Sequence, residues 1–178
     1  MNVVITQPFF FEGEAERIVE LLARPDVDLV HIRKPDAGRQ EIENLLRQLP
    51  CSVRSRLVLH DHHELAAEYG LYGIHLNSRN PMAPEGWRGS VSRSCHSLDE
   101  LAACRAEKLD YMSLSPIFDS ISKQGYRAVF SREELLEAYR KGIIDRRVLA
   151  LGGVTFDRVD EVLEMGFGGA MILGDAWR

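Results

Sequence analysis

Short apolar runs recur along this 178-residue chain, and this recurrence constrains its fold more than any other feature. Most of the runs are continuous rather than alternating, which is typical of strands covered on both faces of a parallel sheet. Their spacing of about two dozen residues is the length of one strand–helix unit. The runs are Val3–Thr6, Leu29–Ile32, Arg56–His60, Tyr72–Leu76, Gly89–Ser94, Tyr111–Ser115, Val148–Leu151 and Ala170–Leu173.

Amphipathic segments with helix-start signals separate these runs. Ser97–Glu100 and Ser131–Glu134 each predict a capping box, in which the serine caps the helix and the glutamate reaches back. Thr155 is expected to begin a further helix with Val159, Val162 and Leu163 on one buried face. Strict alternation of strands and helices gives an open doubly wound sheet or a closed barrel, and eight strands favour the α/β class of the (β/α)₈, or TIM, barrel.

Two stretches depart from a complete barrel. Ser78–Arg88 is rich in proline, glycine and asparagine, so the helix after the fourth strand is expected to be reduced. Only Gly174–Arg178 follows the last run, so the C-terminal helix is expected to be missing or truncated, and a homodimer that covers the exposed face is one expectation. We predict a single short barrel domain over residues 1–178.

Composition and charge argue against several classes of protein. The hydrophobic fraction of 45% supports one sizeable core, and the net charge of −5 without a basic stripe argues against nucleic-acid binding. No apolar run reaches the roughly 18 residues of a membrane span, and the first residues lack the cationic start of a secretory signal. The three cysteines fit neither a zinc site nor a disulfide framework. We therefore expect a cytoplasmic protein with free thiols and with neither nucleic-acid nor membrane partners.

Active sites of barrels lie at the carboxyl ends of the strands. The second run ends in Arg33 and Lys34, two cations that suit a phosphate unless they form an ordinary surface pair. The third run leads into Asp61, a hard oxygen ligand for Mg²⁺, although Asp61 and Glu64 also fit a capping box.

Several polar side chains near the middle strand ends allow more than one interpretation. His62 and His63 are expected on the exposed start of a helix, because consecutive residues cannot all face one ion. His75 and His96 are either acid–base groups or polar members of the upper barrel layer. Ser94, at the end of the fifth run, is a potential phosphate donor.

The strongest signal for an anion site is the loop Ser115–Lys123 after the sixth run. An apolar Pro-Ile-Phe stem leads into hydroxyls and a lysine, which together can wrap an anionic group. Gly153 and Gly174 follow the last two strands, where barrels use backbone N–H groups to hold phosphate. The sequence therefore predicts a small phosphorylated substrate.

In their order and spacing these segments resemble the thiamine phosphate synthase family and its thiazole tautomerase relatives. The resemblance implies a transferase of thiamine biosynthesis that joins hydroxymethylpyrimidine diphosphate to thiazole phosphate and gives thiamine phosphate and pyrophosphate. The segments that carry it are His31–Arg33, Asp61, Gly73–Leu76, Ser94–Ser97, Asp110–Tyr111, Ser115–Phe118, Ser120–Lys123, Ala150–Val154 and Gly166–Gly174.

The resemblance also implies roles for single residues around the diphosphate. Arg33, Ser94 and Lys123 would hold this group and act in catalysis, and Asp61 would bind Mg²⁺. The chemistry would be electrostatic, because the departing pyrophosphate needs cations and Mg²⁺ around it.

A second set of roles concerns the thiazole phosphate. Ser120 and Ser122 stand where the family usually has threonines, and both would lie near this phosphate. Gly153 and Gly174 would donate backbone N–H groups to it.

Four positions depart from the family pattern. His31 replaces a glutamine, His60 replaces an asparagine, and Lys34 comes one residue before the usual lysine position at Pro35. These three side chains are still expected to contact substrate. Asn80 replaces the second metal-ligating aspartate and would be a weaker, neutral ligand of the Mg²⁺.

These departures leave two alternatives to a synthase. A thiazole tautomerase-like isomerase is one, although Pro116 stands where those relatives have a histidine and His96 would have to move the proton. The other is a non-catalytic family member that only binds a phosphorylated ligand, which Asn80 favours.

Overall fold

The structure is a computed structural model that describes residues 1–119 and 128–178. Within these residues eight strands follow one another in chain order around a closed barrel. The strands are β1 (Asn2–Ile5), β2 (Leu29–Ile32), β3 (Leu57–Leu59), β4 (Gly73–Leu76), β5 (Ser90–Cys95), β6 (Tyr111–Leu114), β7 (Val148–Leu151) and β8 (Gly169–Ile172). Neighbouring strands pair in parallel from β1 to β4 and from β5 to β8. The predicted (β/α)₈ barrel is confirmed, and every strand lies within one residue of its predicted bounds.

Seven α-helices accompany the strands in the described part of the chain. They are α1 (Glu14–Ala23), α2 (Arg39–Gln48), α3 (Cys51–Arg54), α4 (Glu64–Glu68), α5 (Leu98–Cys104), α6 (Arg132–Arg140) and α7 (Val159–Glu164). The helix after β4 was predicted to be reduced, and the structure has no helix among the described residues between β4 and β5; β8 leads into a single 3₁₀ turn at Gly174–Trp177. Over residues 1–119 and 128–178, none of the helices combines the length and apolar character that crossing a membrane requires.

The chain divides into two compact units, residues 3–91 and residues 1–2 together with 92–178. In the first unit the core forms where the apolar face of α1, with Ile18, Leu21 and Leu22, is buried along with strands β1 to β4. Each such side chain contributes roughly 1.5–3 kcal/mol when it is fully removed from water. The amphipathic pattern of α1 therefore identified its buried face.

The second unit shows how the capping signals act. Ser131 and Glu134 form the predicted reciprocal capping box at the start of α6, with N···O distances of 3.2 and 2.8 Å. At α5 the Ser97 hydroxyl accepts from the N–H of Glu100 at 3.1 Å, whereas the Glu100 carboxylate accepts from the N–H of His96. The N-cap at Ser97 is confirmed, but the glutamate reaches one residue further back than predicted.

One expectation about α7, the burial of Leu163, differs from the structure. A 3₁₀ turn at Phe156–Arg158 precedes α7, and its tighter winding rotates the residues that follow relative to a continuous α-helix. Val162 is fully buried as predicted, but Leu163 is 45% exposed, so its predicted burial was wrong. Met165 is buried in its place.

Candidate active site

Arg33 lies immediately after β2, and backbone contacts fix this position. Its N–H donates to the Thr6 hydroxyl at 2.9 Å, and the same hydroxyl donates to the Arg33 carbonyl at 3.4 Å. The segment after β2 is therefore tied to the residue that follows β1. The Arg33 side chain is half-buried, at the strand end where barrels place their sites.

Lys34, the neighbouring cation, is instead part of the interior. Its side chain is 0% exposed, and its ammonium donates to the carbonyls of Gln7 and Phe9 at 2.9 and 2.6 Å and to the Glu14 carboxylate at 2.5 Å. Burial lowers the pKa of Lys34 and raises the pKa of Glu14, while the pairing opposes both shifts. Because an ammonium has three protons and all three are used, this arrangement leaves none for a phosphate. Lys34 therefore anchors the loop after β1 to Glu14. This structural role differs from the contact with substrate that the sequence predicted.

Asp61 lies after β3 with two neighbours that the topology brings from the segment after β4. Arg79 donates to both carboxylate oxygens, from Nε at 3.0 Å and from Nη2 at 2.9 Å. The Asn80 amide nitrogen donates to Asp61 Oδ1 at 2.8 Å and to the His60 carbonyl at 3.2 Å. Since both partners are acceptors, the amide orientation follows from them, and the Asn80 oxygen is not directed at the carboxylate. The two residues expected at a Mg²⁺ site are thus adjacent, but Asp61 is already paired with a guanidinium.

The alternative role of Asp61 in a capping box is not realised. Helix α4 begins at Glu64 with His63 at its N-cap position, and no side chain accepts a hydrogen bond there. His62 adopts a left-handed backbone conformation (φ 54°), which turns the chain between Asp61 and the helix. The expected exposure of His63 was wrong, because its side chain is buried, whereas His62 is partly exposed and bonds to the Ala37 carbonyl at 2.9 Å.

His31, His60 and His75 form a buried cluster in the first unit. His31 Nδ1 lies 2.9 Å from His60 Nε2, and the rings of His60 and His75 are stacked with centroids 4.2 Å apart. Desolvation lowers the pKa of His31 and His60 well below the usual range, so both imidazoles are neutral at pH 7. The sequence placed all three at strand ends but did not show that they meet.

In the second unit the ends of β5 and β6 carry several hydroxyl groups. Ser94 pairs in register with Ser113, whose hydroxyl is buried and has no hydrogen-bond partner among residues 1–119 and 128–178. Ser115 Oγ lies 3.1 Å from His96 Nδ1, and the bond between Ser115 and Pro116 is cis. Ser113 is a polar candidate that the sequence did not single out, because it lies inside an apolar run.

Gly152 and Gly153, after β7, allow a close approach of the loop after β6. The N–H groups of Ile117 and Phe118 donate to the carbonyls of Leu151 and Gly152 at 2.9 and 3.0 Å. Both glycines have positive φ, and a Cβ on Gly153 would overlap the carbonyl oxygen of Asp119. Backbone packing therefore accounts for Gly153 in this structure, and its expected donation to a phosphate stays a prediction.

Two further side chains lie close to this loop. The Arg158 guanidinium stands 3.3 Å from the centroid of the Phe118 ring, a cation–π contact that the sequence did not indicate. The Asp175 carboxylate, next to Gly174, accepts from the N–H of Phe156 at 3.0 Å. This carboxylate occupies the start of the 3₁₀ turn after β7, so an anion here would meet a negative group.

Ser120, Ser122 and Lys123 fall within residues 120–127, outside the described part of the chain. Their expected roles at the two phosphate groups stay predictions. The described residues on either side are Asp119, whose carboxylate accepts from the N–H of Ala128 at 2.7 Å, and Ala128 itself.

Comparison with known proteins identifies the family of this chain. The family model described as thiamine monophosphate synthase matches residues 2–174. A thiamine-phosphate synthase of Serratia proteamaculans is 32% identical over 168 residues, which cover 87% of this chain and 78% of that protein. One of Rhizobium etli is 27% identical over 181 residues, which cover 96% of this chain and 87% of that protein.

Solved structures agree with this result. The thiamine phosphate pyrophosphorylase of Bacteroides thetaiotaomicron superposes with a TM-score of 0.83 and is 40% identical, covering 98% of this chain and 83% of its own. The thiamine phosphate pyrophosphorylase of Pyrococcus furiosus has a TM-score of 0.70 at 20% identity, covers 98% of this chain and 89% of its own, and supports the fold alone. The chain therefore belongs to the thiamine monophosphate synthase family and is a transferase of thiamine biosynthesis.

Proposed function

We propose that this chain joins hydroxymethylpyrimidine diphosphate to thiazole phosphate and releases thiamine phosphate and pyrophosphate. The observation that carries the proposal is the family match over residues 2–174, which includes the carboxyl end of every strand that bears a candidate residue. The 40% identity to a solved thiamine phosphate pyrophosphorylase over 98% of the chain supports it.

The proposed reaction breaks one bond and forms one. The bond between the pyrimidine methylene carbon and the diphosphate oxygen breaks, and its electron pair leaves with pyrophosphate. The thiazole nitrogen then donates its lone pair to the methylene cation and forms the new carbon–nitrogen bond. The protein accelerates such a step by stabilising the leaving anion, so cations and hydroxyl donors at the strand ends are the groups required.

Arg33, Ser94 and Lys123 are the residues that we assign to the diphosphate. Arg33 and Ser94 each lie at the carboxyl end of their strand, and an arginine fork matches two phosphate oxygens. Lys123 is assigned by its place in the family motif alone, as are Ser120 and Ser122 at the thiazole phosphate. Lys34 is left out of this set because its ammonium is saturated by internal acceptors.

The described residues fit a Mg²⁺ ion that is held mainly by substrate phosphates. They do not form a metal site that is complete before substrate binds. Mg²⁺ is commonly bound by one or two carboxylates together with substrate phosphates. Asp61 supplies one carboxylate and Asn80 a neutral amide, and Arg79, which donates to both carboxylate oxygens, would compete with the ion for Asp61. Mg²⁺, when bound, would neutralise charge on the diphosphate.

A tautomerase-like isomerase is the second candidate, favoured by one contact. The 3.1 Å contact between Ser115 Oγ and His96 Nδ1 joins a hydroxyl to an imidazole, which could relay a proton on a thiazole phosphate. Such an enzyme would turn over the thiazole substrate alone, with no pyrimidine partner. The pairing of both Asp61 carboxylate oxygens with Arg79 instead favours a family member that binds a phosphorylated ligand without catalysis. Ligand would then raise the stability of the protein without any turnover.

The proposal also covers the setting of the reaction. We place the protein in the cytoplasm, where its free cysteines, Cys51, Cys95 and Cys104, would stay reduced. We further propose that residues 1–178 act as one domain and as a homodimer, which light scattering on the purified chain would test.

The deciding experiment supplies both substrates with Mg²⁺ and follows thiamine phosphate and pyrophosphate. A synthase forms both products, a tautomerase changes only the thiazole substrate, and a binder forms nothing. Absence of thiamine phosphate across a wide range of Mg²⁺ concentration would refute the synthase proposal.

A further inference from the structure

We propose that His31, His60 and His75 bind one divalent transition-metal ion of the zinc class, in a site separate from the Mg²⁺ ligand Asp61. This inference does not require the proposed reaction, since the ion is detected without substrate, but it replaces the substrate contact expected of His31 and His60. It rests on how the first unit brings three imidazoles together and on the chemistry of that ligand set.

The strand register places the three histidines on one face of the sheet. His31 on β2 pairs with Val58 on β3, and Leu59 pairs with Ile74 on β4. Continuing the second register by one residue sets His60 beside His75. Because side chains alternate between faces along a strand, His60 shares the face of Val58 and therefore of His31. Three adjacent strands thus direct one imidazole each to the same place.

The resulting cluster is compact and closed to solvent. Each histidine offers one ring nitrogen, these three atoms lie within 4.8 Å of one another, and all three side chains are buried. Across residues 1–119 and 128–178 this is the one group of three or more histidine, cysteine or carboxylate side chains that meets this spacing.

Metal binding requires a small adjustment of this geometry. Zinc–nitrogen bonds of about 2.0–2.1 Å in a tetrahedral site put ligand nitrogens about 3.4 Å apart. The contact of 2.9 Å between His31 and His60 would open slightly, and the most distant pair, now up to 4.8 Å apart, would move closer.

The ligand set selects the class of ion. Three neutral imidazoles suit zinc, copper, nickel or cobalt, whereas Mg²⁺ and Ca²⁺ require oxygen ligands. Three protein ligands also leave a fourth position open, which in zinc enzymes receives water or substrate. Burial favours retention of the ion once it is bound, because dissociation would require the interior of the first unit to open.

The test uses the full chain, stripped with a chelator in denaturant and refolded with Zn²⁺ or Co²⁺ alone, because a buried site does not exchange its ion freely. We expect one ion per chain to survive gel filtration, a visible Co²⁺ spectrum typical of four-coordination, and a higher midpoint of thermal unfolding with Zn²⁺. Retention of no ion by the wild-type chain in micromolar Zn²⁺ would overturn the proposal without the need for any variant.

Two variants assign the ion to the cluster. His31→Gln removes one ligand and introduces the residue that the resembled family has at this position, so the fold should accept it. His62→Gln is the matched control, since His62 bonds to the Ala37 carbonyl outside the cluster. We expect the affinity for Zn²⁺ to fall on the order of 100-fold in His31→Gln and to stay unchanged in His62→Gln. Equal retention by both variants would show that other groups, such as the exposed thiol of Cys51, hold the ion and would overturn the assignment.

Discussion

Arg79 holds Asp61 through a two-point contact, in which Nε and Nη2 donate to the two carboxylate oxygens at 3.0 and 2.9 Å. Asp61 is the single carboxylate that the sequence offers as a Mg²⁺ ligand, and its side chain is only 13% exposed. A guanidinium therefore neutralises the charge that a metal ion would otherwise attract, and the two cations compete for one group.

Replacing Arg79 with alanine should strengthen the response to Mg²⁺. Because the Arg79 side chain is 41% exposed, its contact with Asp61 is worth about 1 kcal/mol, which corresponds to roughly a fivefold lower half-saturating Mg²⁺ concentration in the variant. Titration of product formation against Mg²⁺ measures this midpoint. Arg39→Ala is the control, because Arg39 pairs with Glu64 and Glu68 instead. A midpoint that does not change in Arg79→Ala would show that the two cations do not compete.

Asn80→Asp should restore a second carboxylate beside the first. The Asn80 amide nitrogen donates to Asp61 Oδ1 at 2.8 Å and to the His60 carbonyl at 3.2 Å, and an aspartate would lose both hydrogen bonds and add a second negative charge beside Asp61. We expect a loss of about 1 kcal/mol in the free energy of unfolding without Mg²⁺, and tighter Mg²⁺ binding. Urea unfolding with and without Mg²⁺ gives both quantities. Asn44→Asp, at an exposed position on α2, controls for the added charge, and a Mg²⁺ response shared by both variants would place Asn80 outside the metal site.

Lys34→Met should act on stability rather than on substrate affinity. Removing the ammonium leaves the buried Glu14 carboxylate without its partner, and breaking such a pair costs about 3–5 kcal/mol. The double variant Glu14→Gln with Lys34→Met should recover part of this loss, because it removes both charges but still leaves the Gln7 and Phe9 carbonyls without the donor they have in the wild type. Unfolding in urea measures the two variants. If Lys34→Met has wild-type stability and a raised KM for either substrate, the interpretation of Lys34 as a structural anchor is wrong and Lys34 contacts substrate.

The strands were predictable because continuous apolar runs separated by amphipathic segments specify a parallel sheet in local sequence. The roles of Lys34 and Asp61 were not, because their partners are distant in the chain. Glu14 lies 20 residues before Lys34, and Arg79 lies 18 residues after Asp61. The charge pattern showed that cations and carboxylates were present, but the topology decided which of them paired.

The histidine cluster illustrates the same limit at the candidate site. His31, His60 and His75 each follow from a strand end, but their meeting depends on the register between three strands. His63 was misjudged for a similar reason, because the left-handed turn at His62 directs it into the interior. Local patterns therefore placed these histidines next to the correct strands without giving their contacts.

Thiol reactivity should differ sharply between the three cysteines. Burial raises the pKa of Cys95 to about 12 and also raises the pKa of Cys104, whereas Cys51 is exposed. Since the thiolate is the reactive form, its fraction at Cys95 stays very small at pH 8 and grows only as the pH approaches 12. Alkylation at pH 8 followed by mass spectrometry should label Cys51 alone in the folded protein and all three cysteines in urea. Rapid labelling of Cys95 in the folded protein would contradict its burial.

The most direct measurement of the synthase proposal is the simultaneous yield of its two products. The full chain, hydroxymethylpyrimidine diphosphate, thiazole phosphate and Mg²⁺ are combined, and thiamine phosphate and pyrophosphate are quantified over time, with each component omitted in turn. With both substrates present we predict equal molar amounts of the two products, because one carbon–oxygen bond is exchanged for one carbon–nitrogen bond, and we predict no thiamine phosphate when either substrate is left out. In the complete mixture, pyrophosphate without thiamine phosphate, or no product at any Mg²⁺ concentration, would contradict the account.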